Sequence, residues 1–175
     1  QTLWFASEET GFSHLYTYSL ASKTKQALTQ GNFEILDAQL SHDKNYFYLT
    51  ANAEGPAEQH FYRLPVKGGR MERLTTLPGN NEVQLSPDEQ YLAIRNSYSN
   101  KPWEVYVQEN KPGAQPRQLT ASTTAAFQAY PWRDPEIVRF TARDGVAVPA
   151  RLYKPAKGKS NGAAVIFVHG AGYLQ

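Results

Sequence analysis

The chain of 175 residues contains no cysteine and a single methionine. The absence of cysteine excludes a disulfide framework, thiolate zinc sites and a cysteine nucleophile within this sequence. No apolar run approaches the roughly twenty residues that a membrane-spanning helix needs, since the longest, from Ala163 to Val168, has only six. No charged and apolar leader follows Gln1, so any secretory signal was removed or lies outside this segment.

An excess of charge of either sign is lacking as well. The chain has 18 Lys and Arg residues against 16 Asp and Glu residues, and a net charge of +2 is too small to indicate a nucleic acid or a membrane surface as partner. Its one basic cluster, Lys154, Lys157 and Lys159, lies among Pro, Gly, Ser and Asn and is interpreted as a solvated loop. Hydrophobic residues at 41% and charged residues at 19% favour a folded core over disorder.

What the sequence does contain is an internal repeat with a period of about 45 residues. Leu-Thr pairs, tyrosines and Leu-Ser-x-Asp segments each recur at spacings of 44 to 46 residues. The recurring positions are the pairs that begin at Leu28, Leu74 and Leu119, the tyrosines Tyr16, Tyr62 and Tyr106, and the segments that begin at Leu40 and Leu85. The sequence therefore predicts three copies of one structural unit.

Each period predicts four short strands, the first two joined by a Ser-x-Asp turn whose polar side chains bond their own backbone. Four strands in about 45 residues is typical of a β-propeller blade. We expect residues 1–31 to supply the last three strands of one blade, residues 33–77 a complete second blade and residues 81–121 a third. The predicted fold is mainly β, an incomplete propeller of about 2.5 four-stranded blades. An open stack leaves sheet edges unpaired, so we expect a larger propeller.

A different pattern follows the propeller region 1–121. Residues 122–135, which contain two prolines and a tryptophan, are predicted to be an interdomain linker. Residues 136–175 are predicted to contain the first strands of an α/β-hydrolase domain. They hold a hairpin formed by 137–142 and 148–153, then the apolar run 163–168, expected to be a strand buried on both faces of a mostly parallel sheet.

The apolar run ends in His169-Gly170-Ala171-Gly172-Tyr173, and these five residues are the candidate oxyanion-hole turn. Such a strand and glycine-rich turn is how α/β-hydrolases place an oxyanion donor, because glycine lets backbone N–H groups approach the developing charge. The alternative is an ordinary tight turn after a parallel strand. The one Gly-x-Ser-x-Gly match, Gly158 to Gly162, lies in the polar loop before the apolar run and not between a strand and a helix, so no catalytic residue is assigned and the 175 residues alone are expected to be inactive.

Other chemically suggestive side chains are predicted to be structural. His14 and His60 occupy the same place in successive blades, and His42 lies in the turn where the next copy has Pro87, so packing or strand-end roles are favoured over metal binding. Glu8-Glu9 could capture an ammonium group, but its position between the second and third strands of a blade favours a solvated loop. We expect no metal and no cofactor.

In combination, these residues resemble the prolyl oligopeptidase class of serine peptidases (S9), and its dipeptidyl peptidase IV branch most closely. The propeller part of the resemblance lies in residues 6–16, with their Glu-Glu-x-Gly-like loop, and in residues 28–34. The hydrolase part lies in residues 138–145, 149–155 and 165–175. The resemblance covers essentially the whole chain.

The resemblance implies an eight-bladed or similar propeller that covers an α/β-hydrolase domain and cleaves short peptides, often after Pro or Ala near a free amino terminus. The catalytic Ser, Asp and His would lie beyond Gln175. Many members hold an oxyanion-stabilising tyrosine in the turn after the third strand, where this sequence has His169, and Tyr173 is a second candidate. The family's amino-terminus-binding glutamates lie on an earlier propeller segment and are not identified with Glu8 or Glu9.

The implied partners are a peptide substrate and the remainder of the propeller and catalytic domain, with a homodimer also compatible. The implied location is periplasmic or secreted. A noncatalytic propeller and hydrolase-like binding module, and a portion with no function of its own, are the alternatives that the residues leave open.

Overall fold

The computed structural model describes residues 1–168 and consists mainly of antiparallel strands. It falls into two compact units, Gln1–Ala129 and Tyr130–Gln175, the second described as far as residue 168. Among the described residues, no helix is long and apolar enough to cross a membrane.

Three sheets make up the first unit, and in each the strands are neighbours in chain order. The first sheet contains β1 (Thr2–Ser7), β2 (His14–Ser19) and β3 (Thr24–Ala27). The second contains β4 (Ile35–Leu40), β5 (Tyr46–Ala51), β6 (His60–Pro65) and β7 (Glu72–Arg73). The third contains β8 (Asn80–Leu85), β9 (Tyr91–Tyr98), β10 (Lys101–Glu109) and β11 (Arg117–Gln118). The predicted mainly β fold, with one three-stranded and two four-stranded sheets, is confirmed.

The predicted Ser-x-Asp turns connect the first two strands of both four-stranded sheets. Ser41 Oγ donates to Asp43 Oδ1 at 2.6 Å and accepts the N–H of Tyr46 at 3.0 Å, closing the turn between β4 and β5. Residues 86–91 repeat the arrangement with the same two distances. Each turn holds one residue in the left-handed region, Lys44 at φ 59° in the first copy. The side-chain hydrogen bonds therefore offset the cost of that conformation.

Alternation along β5 gives the second sheet two apolar faces. Phe47 and Leu49 point toward the first sheet, whereas Tyr48 points toward the third, since successive strand residues face opposite sides. The two resulting cores lie between the sheets. The buried members of the first core are Leu15, Leu28, Ile35, Phe47, Leu49, Ala51, Tyr62 and Leu64. Those of the second core are Tyr48, Phe61, Leu74, Leu92 and Ile94.

After the third sheet, the helix α1 (Ala125–Ala129) ends the first unit. It lies within the residues predicted to be a linker, and Thr124 Oγ1 accepts the N–H of Phe127 at 3.2 Å in its first turn. Its five residues contribute no buried side chain. The helix is therefore a short ordered turn within the segment 122–135.

The second unit contains the predicted hairpin, formed by β12 (Glu136–Thr141) and β13 (Ala147–Leu152). Gly145 adopts φ +87° in the connecting turn, where Asp144 Oδ1 accepts the N–H of Val146 at 3.1 Å. This left-handed position explains the Asp-Gly pair, because glycine adopts such a conformation without a Cβ clash.

The third strand predicted for this unit is wrong for the described residues. Ala163 to Val168 forms no strand, and Val165 through Val168 are almost fully exposed. A strand buried on both faces needs hydrogen-bonding neighbours on each side and covering layers above and below. None of the described residues supplies either, so apolar composition alone does not produce the strand.

Candidate functional site

The candidate oxyanion turn, His169, Gly170, Ala171, Gly172 and Tyr173, lies outside the described residues, so its geometry stays a prediction. The sequence assigned no catalytic residue, and among the described residues no cluster of three or more His, Asp or Glu side chains could hold a metal ion. The polar constellation that the described chain does build lies in the propeller sheets.

One polar contact recurs in the first two sheets at the positions of the repeated histidines. Thr29 Oγ1 lies 3.1 Å from His14 Nδ1 and accepts, at 2.9 Å, the backbone N–H of the residue after that histidine. Thr75 Oγ1 lies 3.0 Å from His60 Nδ1 and accepts the equivalent N–H, also at 3.0 Å. Each contact joins the next-to-last strand of its sheet to the chain that follows the last strand. The predicted strand-end role of both histidines is confirmed.

The hydrogen bonds place a proton on Nε2 of both imidazoles. His14 Nε2 lies 3.0 Å from the carbonyl oxygen of Gly31, and His60 Nε2 lies 2.8 Å from Glu58 Oε2. Both partners are acceptors, so each Nε2 donates. Each Nδ1 lies within hydrogen-bond distance of the threonine oxygen, which also accepts the backbone N–H.

In the third sheet, Glu104 replaces the histidine and keeps the contact. Thr120 donates its hydroxyl proton to Glu104 Oε2 and accepts the N–H of Val105 at 2.9 Å. The other carboxylate oxygen accepts the N–H and the hydroxyl of Ser122 at 2.6 and 2.7 Å. The Thr120 hydroxyl above all, and then both Ser122 donors, hold the pKa of Glu104 below its usual value.

A buried amide network, which the sequence analysis missed, links the second and third sheets. Asn81 Nδ2 donates to the carbonyl oxygens of Gln59 and Leu77 at 2.9 and 2.8 Å. Asn96 Nδ2 donates to Pro78 O at 3.0 Å and to Asn81 Oδ1 at 3.2 Å. The only sequence signal was an asparagine at a position where the preceding repeat has an aliphatic residue.

The remaining sequence candidates lie on the surface. Glu9 forms an ion pair of 2.5 Å with Lys25, whose hydrogen bond lowers the pKa of the carboxyl group. The ring of His42 is largely exposed, and its Nδ1 lies 3.8 Å from Glu89 Oε1. The solvated-loop interpretation of Glu8-Glu9 agrees with the exposure of both residues. Among the described residues, none of these side chains contacts another residue that the sequence analysis singled out as a candidate functional group.

Thr75, His60 and Glu58 form a row of hydroxyl, imidazole and carboxylate that resembles a nucleophile, base and orienting acid. Its position excludes that role. Thr75 and His60 are buried, and the threonine oxygen is already occupied by a backbone N–H. The chemistry of the constellation is therefore structural, as it fixes strand ends without leaving a buried donor unpaired.

Repeated four-stranded antiparallel sheets, stacked face to face and closed by equivalent polar contacts, are the blades of a β-propeller. Residues 1–103 match the family described as "Dipeptidyl peptidase IV (DPP IV) N-terminal region". The chain belongs to this family, and the resemblance identified in the sequence is confirmed.

Fungal proteins are similar to part of this chain. A probable dipeptidyl-aminopeptidase B of Aspergillus niger is 30% identical over 102 residues, which make up 55% of this chain and 11% of that protein. The probable dipeptidyl-aminopeptidase B of Aspergillus terreus is 23% identical over 148 residues, 82% of this chain and 15% of that protein. The chain is thus similar to a small part of two proteins named as dipeptidyl-aminopeptidases.

A solved structure shares the fold. The crystal structure of Porphyromonas gingivalis dipeptidyl peptidase 4 superimposes with a TM-score of 0.71 at 22% sequence identity, covering 89% of this chain and 22% of that one. At this identity the likeness shows the fold alone. The chain spans between 11% and 22% of the length of the proteins compared here.

Proposed function

We propose that the chain is part of a serine peptidase of the prolyl oligopeptidase class that cleaves short peptides, often after Pro or Ala near a free amino terminus. The observation that carries the proposal is the family match over residues 1–103, which covers the first two sheets and the first two strands of the third. The names of the fungal relatives, dipeptidyl-aminopeptidases, support the same reaction class.

The propeller sheets would have a structural role in this reaction and would supply no catalytic group. Their polar groups are held within the blades, with His60 and Asn81 buried between or beneath strands, so these groups are not offered to a substrate. Bond cleavage would then fall to a hydrolase domain that begins near Glu136, with a Ser-Asp-His triad in residues beyond Gln175. Acyl transfer by such a triad needs no metal or cofactor.

The turn His169 to Tyr173 would contribute oxyanion stabilisation through backbone N–H groups beside Gly170 and Gly172. Removing one donor from an oxyanion hole lowers kcat by about 100- to 1,000-fold. In the complete gene product, Tyr173→Phe tests whether a side-chain hydroxyl is such a donor. An unchanged kcat would leave the role to the backbone.

The central test uses the complete gene product that contains this sequence. We expect it to release the chromophore from a Gly-Pro anilide and to react covalently with a fluorophosphonate probe. The matched control replaces by alanine the serine of a Gly-x-Ser-x-Gly segment that lies beyond Gln175, and it should abolish both signals. A well-folded product that neither hydrolyses the anilide nor binds the probe would refute the proposal.

A noncatalytic binding module is the second candidate, since no residue of these 175 has been assigned a catalytic role. Reading the coding sequence past Gln175 distinguishes the two. A nucleophile motif followed by an acid and a histidine supports the peptidase, whereas their absence supports the binding module.

A further inference from the structure

In the first two sheets, the residue two positions after the repeated threonine offers its carbonyl oxygen to a buried side chain. His14 Nε2 donates to the carbonyl oxygen of Gly31 at 3.0 Å. Asn81 Nδ2 donates to the carbonyl oxygen of Leu77 at 2.8 Å. In both cases the chain then enters the first strand of the next sheet, β4 or β8.

In the third sheet the equivalent residue, Ser122, offers its backbone N–H instead. Glu104 Oε1 accepts that N–H at 2.6 Å and the Ser122 hydroxyl at 2.7 Å, while Oε2 keeps the contact with Thr120. An ionised carboxylate only accepts hydrogen bonds, whereas the Nε2–H of a histidine placed like His14 donates one. The replacement of histidine by glutamate therefore matches the reversed polarity of the outgoing chain.

The path of the chain changes at the same point. After Thr120 the chain forms the helix α1, and among the described residues no further strand joins the three sheets. The hydrogen bonds of this segment are local, since Gln128 donates its N–H to Thr124 O at 3.0 Å and its Nε2 to Thr123 Oγ1 at 2.9 Å. The glutamate thus occupies the repeat position from which the chain leaves the stack of sheets.

Glu104 is enclosed by parts of the chain that the structure describes. Tyr106, on the same strand, packs against the core between the second and third sheets, and Gln108 Nε2 donates to Leu74 O of the second sheet at 2.8 Å. Strand residues two apart point to the same side, so Glu104 faces the second sheet. Its residue is 8% exposed. A charge in this position needs hydrogen-bond donors, and Ser122 supplies two of them.

We propose that Glu104 is a positioning residue that fixes the path by which the chain leaves the third sheet. Its two oxygens divide the work. Oε2 preserves the strand-end contact that the histidines make in the other two sheets, and Oε1 binds the first peptide N–H of the segment that leads to the second unit. A histidine has no second acceptor with which to hold that N–H.

The test is Glu104→His in the complete gene product, which restores the residue that the first two sheets carry. The imidazole can still contact Thr120 but offers no acceptor to Ser122. Hydrogen–deuterium exchange with mass spectrometry measures the result. We expect the Ser122 amide to exchange about 10- to 100-fold faster, because it loses a hydrogen bond to a charged group. The Val105 amide should stay protected, since Thr120 Oγ1 still accepts its proton.

Thr120→Val is the matched control and should give the opposite pattern. It removes the acceptor of the Val105 amide but leaves Glu104 Oε1 bound to Ser122, so Val105 should exchange faster while Ser122 stays protected. Unchanged exchange of Ser122 in Glu104→His would overturn the proposal. Equal effects of the two substitutions on both amides would also overturn it, because Glu104 would then support the sheet end as a whole.

A pH profile separates the positioning role from general support of the sheet. The Thr120 hydroxyl, and then the Ser122 donors, lower the pKa of Glu104, and no charged side chain of the described residues contributes to this shift. The protection of the Ser122 amide, corrected for the intrinsic effect of pH on exchange, should fall as the pH drops through that lowered pKa. In Glu104→His this dependence should be absent, and its persistence there would contradict the proposal.

Ser122→Pro serves as a second variant where circular dichroism shows that Glu104→His has lost its β signal. It removes the bound N–H and leaves every residue of the three sheets unchanged. We expect the amides of residues 123–128 to exchange faster than in the unmodified protein, while those of β9 and β10 keep their protection. Unchanged exchange in residues 123–128 would show that the Ser122 contact does not hold the outgoing chain.

Discussion

Gly79 and Gly11 have the same backbone conformation but different surroundings. Comparing them separates the energetic cost of a left-handed conformation from the cost of a steric clash with an added Cβ. Both have φ +92°. A Cβ on Gly79 would lie 2.3 Å from the carbonyl oxygen of Ser97, whereas a Cβ on Gly11 meets nothing within 4 Å. The left-handed conformation alone costs an alanine roughly 1–2 kcal/mol.

We therefore predict that Gly79→Ala lowers the free energy of unfolding by more than about 3 kcal/mol, and Gly11→Ala by about 1 kcal/mol. The larger loss arises because the Ser97 backbone must move to admit the methyl group. Urea unfolding of both variants at low protein concentration measures the difference. Equal losses would show that the third sheet accommodates the side chain.

Glu104 makes the stability of the third sheet dependent on acid pH. Its pKa is lowered from 4.5 in the folded chain, so the unfolded chain binds more protons at acid pH and stability increases with pH in this range. The contribution of Glu104 is complete above its unfolded pKa and is lost as the pH falls through the lowered folded pKa.

Replacing Glu104 by glutamine should flatten the loss of stability between about pH 5 and pH 3. Urea midpoints measured across this range in both proteins test the prediction. Some slope should remain, because hydrogen bonds from Ser41 and Ser86 also lower the pKa values of Asp43 and Asp88. Identical slopes in the two proteins would contradict the role of Glu104.

At the scale of single elements, the Ser-x-Asp turn is a local device that needs little from the rest of the fold. Ser41 supplies both a donor to Asp43 and an acceptor for Tyr46, so its hydroxyl closes the turn from both sides. This explains why the turn was recognisable in the sequence, since all its partners lie within five residues.

Ser41→Ala should lower the free energy of unfolding by about 1–3 kcal/mol, because the partly buried Tyr46 N–H loses its acceptor. Ser22→Ala is the control, as the Ser22 hydroxyl bonds only an exposed Thr24 hydroxyl, and it should change stability by less than about 0.5 kcal/mol. Chemical denaturation compares the two. A loss as large in Ser22→Ala would remove the special role of the Ser-x-Asp turn.

The hairpin and the apolar run of the second unit show when a local sequence pattern is not sufficient to predict a strand. The hairpin β12–β13 forms because a short turn brings its own two strands together. The run 163–168 has stronger apolar character but no pairing partner among the described residues, and it forms no strand. A strand of a parallel sheet depends on segments distant in sequence.

In the first unit as a whole, residues at equivalent positions of the repeat contribute very differently to the free energy of unfolding. Leu74 and Leu119 hold the same place in successive sheets, but Leu74 is buried between two sheets and Leu119 is half exposed. Leu74→Ala should therefore lower the free energy of unfolding by about 2–5 kcal/mol. Leu119→Ala should change it by about 0.5 kcal/mol or less.

Thermal and urea unfolding of these two leucine variants test this difference in burial. Similar losses in the two variants would contradict the exposure of Leu119 in the third sheet.

From its sequence alone, this protein could be assigned its strands, its period of about 45 residues, its Ser-x-Asp turns and its family. These features depend on the alternation of apolar and polar residues and on hydrogen bonds between residues a few positions apart. Both leave patterns that recur in the amino-acid sequence. The strand-end role of His14 and His60 could be predicted for the same reason, since repetition at equal spacing favours structure over chemistry.

Packing between sheets decided the rest. It buried Leu74 and left Leu119 exposed, brought the His14 ring to the carbonyl oxygen of Gly31, and required glycine at position 79. Each of these outcomes depends on atoms from segments 15 or more residues apart or on a neighbouring sheet. Burial and hydrogen bonding across such separations are properties of the folded chain, and no local pattern records them.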